Sequence, residues 1–84
     1  RLNQNYPNPF NPSTNINFSL DKNSHIKLSV YDVSGKLIRV IKEGFFKAGN
    51  YDEKINMDGF GTGIYFYSLE TPEGTLTQKM ILAK

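Results

Sequence analysis

Three prolines within the seven-residue stretch Tyr6-Pro7-Asn8-Pro9-Phe10-Asn11-Pro12 place the first constraint on this chain. Each fixes φ, lacks an amide hydrogen and pushes the residue before it toward extended backbone. The stretch is therefore excluded from helix and from a central strand, and reads as a stiff, extended lead-in. Directly after it, Ile16, Phe18 and Leu20 alternate with Asn15, Asn17 and Ser19, the period-two pattern of a half-buried strand. The expected organisation is a linker and Pro-rich entrance over residues 1–12 and a folded unit over residues 13–84.

The alternation continues to the end of the chain, and no segment keeps a helical period. Ile26, Leu28 and Val30 share one face of a strand opposite Lys27, Ser29 and Tyr31. Asp32-Val33-Ser34-Gly35 then supplies a hairpin turn, with Asp able to bond its own backbone and Gly able to take positive φ. Residues 36–42 form the returning strand. Phe45 and Phe46 lie between Gly44 and Gly49 and are expected in a loop, folded back as a lid on the core. Tyr51, Ile55 and Met57 alternate with Asp52, Lys54 and Asn56. A glycine-rich connection, Asp58-Gly59-Phe60-Gly61-Thr62-Gly63, leads into Ile64-Tyr65-Phe66-Tyr67-Ser68-Leu69. That strand is apolar on both faces, as a central strand covered on two sides would be. Thr71-Pro72-Glu73-Gly74 is a turn, and Leu76, Met80 and Leu82 share a face of the last strand. Six strands, seven if residues 2–5 pair with an edge, spaced about 8–12 residues apart, predict an all-β fold: a small immunoglobulin-like antiparallel β-sandwich.

A chain of 84 residues is one small domain, which buries only roughly 60% of its unfolded surface. It begins abruptly at Arg1, as a piece of a larger protein or a processed product would. With no cysteine, disulfides and thiolate metal sites are excluded. The five Tyr and six Phe must supply the core instead, since each buried ring removes a large area from water. The net charge is +2 and the basic residues are scattered, which argues against a nucleic-acid partner. No apolar run is long enough to cross a bilayer, so direct membrane insertion is not expected.

No catalytic or cofactor constellation emerges. Gly59, Gly61 and Gly63 precede a strand rather than a helix, so they lack the amides and dipole of a phosphate loop. His25 stands alone and reads as a solvated residue at a strand entrance. Asp52 and Glu53 are adjacent on a strand and so face opposite ways, which rules them out as a catalytic pair. Asp58 is most simply a turn residue. Tyr31, Tyr65 and Tyr67, if exposed together, would offer a carbohydrate-stacking platform, although tyrosines in so small a sandwich more often fill core and rim. No enzyme, no metal site and no cofactor are expected.

Five separated motifs, in order, resemble one family. They are Asn5-Tyr6-Pro7-Asn8-Pro9-Phe10-Asn11-Pro12, Val30-Tyr31-Asp32 with Gly35, Ala48-Gly49, Gly63-Ile64-Tyr65-Phe66-Tyr67, and Gln78-Lys79-Met80-Ile81-Leu82-Ala83-Lys84. The chain resembles the type A C-terminal sorting domain of the type IX secretion system, and also the immunoglobulin-like domain of the flagellar hook-capping protein. The resemblance implies a non-catalytic signal that targets a larger upstream cargo for export across the outer membrane. It implies passage through the periplasm, then a cell-surface or extracellular location. Its implied partners are the outer-membrane translocon and a sortase-like peptidase, and the implied recognition residues are Pro7, Asn8, Pro9, Gly63, Tyr65, Lys79 and Lys84. The competing classes are a structural immunoglobulin-like spacer and a carbohydrate-binding module.

Overall fold

The computed structural model describes residues 1–84. It contains six strands and no helix: β1 (Ser13–Leu20), β2 (Ser24–Tyr31), β3 (Leu37–Phe46), β4 (Gly49–Asn56), β5 (Gly63–Thr71) and β6 (Gly74–Leu82). β1 pairs with β4, and a second sheet has the order β3-β2-β5-β6, with every pairing antiparallel. The inward residues of both sheets form a single core. Ile16, Phe18 and Ile55 come from the smaller sheet; Leu28, Val30, Tyr67, Leu69, Met80 and Leu82 come from the larger. This is the expected β-sandwich. The strand order matches the variable-type immunoglobulin arrangement, with β3, β2, β5 and β6 in the places of C′, C, F and G.

Turn chemistry explains the hairpins. The Asp32 carboxylate accepts from the Ser34 hydroxyl (2.6 Å) and from the amides of Ser34 (2.9 Å) and Lys36 (3.0 Å). Those donors, the Ser34 hydroxyl foremost, hold its pKa below the ordinary carboxylate value. Gly35 completes the turn at φ +89°, a conformation that side chains rarely adopt. The links β1–β2 and β3–β4 each cross between sheets at the same end of the sandwich. They are tied together there, because the Asn23 side-chain oxygen accepts the Ala48 amide at 2.9 Å.

Two expectations fail. Phe45 and Phe46 belong to β3 rather than to a loop, and Phe45 is exposed instead of closing over the core. Gly44, expected to open that loop, sits within β3 opposite Ile26, with the Phe46 ring resting against it. β5 is central in its sheet, but only one of its faces is covered: Ile64 is 41% exposed on the other. No second layer packs there.

Residues 1–12, read from the sequence as an entrance, are built into the sandwich. Residues 1–6 run antiparallel beside β1: Tyr6 and Asn15 exchange amide–carbonyl bonds (3.0 and 2.9 Å), and the Asn3 amide donates to Asn17 (3.0 Å). After the prolines the chain changes sheets. The Phe10 amide donates to the Ile81 carbonyl (2.9 Å) and the Phe10 carbonyl accepts the Ala83 amide (3.0 Å), a parallel bridge to the end of β6. The prolines lack amides but cost no bond, because Tyr6 and Phe10 on either side supply the donors. Leu2 and Phe10 are 6% and 3% exposed and belong to the core.

Tyr67 locks this segment down from the larger sheet. Its side chain is fully buried and its hydroxyl donates to the Asn3 carbonyl at 2.6 Å. Phe10→Ala should therefore destabilise the fold by about 3–5 kcal/mol, measurable by urea unfolding, although sequence alone would count Phe10 as linker.

Burial raises the Tyr67 pKa from 10.0 to about 12. The native phenol keeps a proton that the unfolded chain releases. Its contribution is intact below pH 10 and is lost as pH rises toward about 12. Thermal unfolding across that window should show stability falling with pH, less steeply in Tyr67→Phe.

Candidate recognition edge

The residues that the resemblance implies for recognition fall in three groups, Pro7-Asn8-Pro9, Gly63 with Tyr65, and Lys79 with Lys84, and the fold brings the three groups to one edge. β6 is the outermost strand of the larger sheet, so its outer side would ordinarily present unpaired amides and carbonyls. Residues 4–10 occupy that side along its second half. The Gln4 side-chain amide donates to the Lys79 carbonyl (2.7 Å) and the Asn8 side-chain oxygen accepts the Ile81 amide (2.9 Å). Phe10 then takes the Ile81 carbonyl and the Ala83 amide, as above. Asn8 thus imitates a backbone acceptor between two prolines that could donate nothing.

Pro7 contributes through its carbonyl, which accepts from the Thr14 hydroxyl (2.8 Å) and from the Asn5 side-chain amide (3.1 Å). Asn5 and Thr14 are themselves buried, at 2% and 1% exposure, and bonded to each other at 3.0 Å. The exposed rings of Pro7 and Pro9 therefore stand on a fixed, fully bonded base.

On the other side of β6, β5 begins. Gly63 pairs with Leu82 and Tyr65 with Met80. The Tyr65 side chain points inward, packs edge-on against Phe60 (6.4 Å), and donates its hydroxyl to the Gly61 carbonyl at 2.6 Å. A tyrosine at the start of strand F that bonds back to the chain a few residues upstream is the tyrosine corner of immunoglobulin-like folds. The Gly-x-Tyr motif is thus a corner fastening. Tyr51 does the same at the start of β4, donating to the Lys47 carbonyl at 2.6 Å.

Lys79 and Lys84 bracket the terminal strand. Lys79 is exposed and pairs with Phe66 on the outward face of the larger sheet. Lys84 lies beyond the end of β6, exposed, with its amide donated to the Thr62 hydroxyl at 3.2 Å. A five-residue spacing places the two in opposite phase along a strand.

The other candidate groups do not assemble. Tyr65 and Tyr67 face the core, and only Tyr31 lies on the outer face, so the three tyrosines do not form a common platform. Asp52 and Glu53 point apart as expected. Glu53 turns inward to Lys42 (3.0 Å), whereas Asp52 accepts from the Asn17 side chain (2.9 Å). His25 is exposed and packs edge-on against Phe45 at 5.0 Å. Sequence reasoning missed Gln4, Phe10 and Gln78 as parts of this edge. Gln78 donates to the Leu2 carbonyl at 3.1 Å. The one available signal was Phe10 itself, a large apolar residue in a stretch otherwise polar or Pro.

Comparison with known families decides what kind of edge this is. The family model described as secretion system C-terminal sorting domain matches residues 4–83. The chain belongs to that family. No curated protein and no solved structure matches it. Sorting domains of this type act in type IX secretion, as signals on cargo exported to the cell surface or the extracellular space. The matched span includes residues 4–12, so the segment that clasps β6 is part of the family unit.

Asn8→Ala should leave the Ile81 amide without its partner. In this sorting domain the expected result is faster hydrogen exchange at Ile81, with a loss of about 1 kcal/mol in local protection. Tyr65→Phe should cost a similar amount globally, about 0.5–1.5 kcal/mol, by undoing the corner.

Proposed function

We propose that this domain is a non-catalytic sorting signal whose recognised surface is the far end of β6, bracketed by Lys79 and Lys84 and fixed from below by Pro7-Asn8-Pro9. The observation that carries this reading is the convergence of Pro7, Asn8 and Pro9, of Gly63 and Tyr65, and of Lys79 and Lys84 on one edge. In this reading, Asn8, Gly63 and Tyr65 hold the strand in place. Pro7, Pro9 and the two lysines are exposed and available to a partner. The upstream cargo crosses the periplasm, is passed through the outer-membrane translocon, and is released or attached at the surface after a sortase-like peptidase acts. The partner is a protein surface, not nucleic acid or lipid, and no cofactor takes part.

The clasp narrows how that surface is read. Addition of a partner strand along the second half of β6 would need outward backbone groups, and the Lys79 carbonyl, both Ile81 groups and the Ala83 amide are already bonded to residues 4–10. Recognition of the folded domain therefore goes through side chains at this end. Because Leu2 is in the core, we place the join to cargo before that residue rather than at Pro12.

A reporter cargo fused to the domain tests the reading. Lys79→Glu combined with Lys84→Glu should lower secretion and leave reporter in the periplasm at an unchanged Tm. Full secretion of that folded variant would overturn recognition through the lysines. Removing residues 80–84 tests the role itself, and undiminished secretion without them would refute a sorting function.

A further inference from the structure

The outward face of the larger sheet is more apolar than a solvated face should be. Val40 and Leu37 of β3, Tyr31 of β2, Phe66 and Ile64 of β5, and Ile81 of β6 lie on it or at its rim. Three of them, Leu37, Val40 and Ile64, are 45%, 38% and 41% exposed. β5 reads from its sequence as covered on both sides, yet no second layer packs on this side, where only the central serines, Ser29 and Ser68, are shielded by their neighbours. Exposed apolar surface of this kind marks an interaction site.

We infer that this face binds the same face of a second copy of the chain, across a two-fold axis parallel to the strands and midway between β2 and β5. The argument is one of register. The outward residues of the two central strands pair as Lys27↔Glu70, Ser29↔Ser68 and Tyr31↔Phe66. An axis so placed sets every residue of β2 opposite its own register partner on the β5 of the second copy. Lys27 then meets a glutamate, twice by symmetry, and Tyr31 meets a phenylalanine ring, also twice. Outside them, Val40 comes opposite Thr77, and Leu37 opposite the aliphatic stem of Lys79. The rival two-fold, perpendicular to the strands, would put Lys27 over the Tyr31 ring, a cation–π contact, but also the Glu70 carboxylate over the Phe66 ring, whose face is electronegative. Only the first axis gives every Lys27 and Glu70 an opposite charge.

The Ser29 hydroxyl at the centre of this face is fully buried within the chain itself and has no hydrogen-bond partner, and Ser68 beside it is 5% exposed. The serines are thus closed over by their own neighbours, and the contact is made by the longer side chains around them. The Lys27–Glu70 pairs lie at one end as a charged rim, as at many interfaces.

The size of the face sets the strength. Four strands about 4.8 Å apart, each contributing about six residues of about 3.4 Å, give on the order of 400 Å² per copy. That lies in the weak, reversible class, below about 1,200 Å² in total. Lys79 belongs both to this face and to the proposed recognition surface, so self-association is tested on the chain alone, where its failure leaves the sorting role untouched.

Sedimentation equilibrium of the 84-residue chain over a concentration series up to about 1 mM tests it. The expected result is a monomer–dimer equilibrium weakened by salt. Lys27→Glu sets like charges opposite and should weaken it by about tenfold or more. Lys27→Glu with Glu70→Lys swaps the pair and should restore it. Ile64→Thr, a substitution at an exposed strand position, should weaken it without charge change, which keeps the test informative if the charge variant folds poorly. A chain that stays monomeric throughout, a dimer indifferent to Lys27→Glu, or a double swap that fails to restore association would each overturn the proposal.

Discussion

The clasp between Phe10 and the end of β6 is the contact on which the rest of this domain depends. A chain this small has little core to spare, and its first ten residues contribute two of the core side chains, Leu2 and Phe10. Burying a ring of this size is worth about 1.5–3 kcal/mol, against about 0.5–1.5 kcal/mol net for each backbone bond. The ring therefore provides the attachment, and the bonds to Ile81 and Ala83 decide the register at which it docks. Without that register Asn8 would not meet the Ile81 amide, and β6 would keep an open edge where the lysines now stand in fixed positions.

The same economy appears in how the tyrosines are used. Tyr51, Tyr65 and Tyr67 all turn their rings toward the core side, and each spends its hydroxyl on a backbone carbonyl at 2.6 Å. Two of those bonds are local and fasten the start of a strand. The third joins Tyr67 to Asn3 across the chain. In a protein without cysteine these bonds do some of the work of cross-links, fixing loop to strand and strand to strand at points where a ring is already buried.

Most of the sandwich was legible because period-two alternation reports directly on which side of a strand is wet. Ile26, Leu28 and Val30, or Met80 and Leu82, need no partner to be named before their face is known, although Leu76, on the same face as the latter pair, is 49% exposed. The Asp32 and Pro72 turns were equally plain, since their chemistry is local. What local pattern could not reveal was pairing at long range. Gln4 and Lys79, or Tyr67 and Asn3, are bonded across more than sixty residues and carry no mark of it in their neighbourhoods. The prolines concealed the docked segment in a second way, because a residue without an amide reads as outside a sheet even when its neighbours supply the bonds. Gly44 misled similarly, since a glycine covered by a neighbouring ring can stay in a strand. Of the candidate site, the motifs were visible in the sequence and their convergence was not.

The parallel bridge at Phe10 also determines how the domain responds to force. The segment around Phe10 and the end of β6 lie side by side and run the same way, and they lead to opposite termini of the chain. A pull applied between Arg1 and Lys84 acts along the strands, in shear, so the bonds at Lys79, Ile81 and Ala83 are loaded together rather than opened one after another. An antiparallel fastening at the same place would unzip. A domain fastened this way resists being drawn out by its ends, and keeps its folded surface under tension.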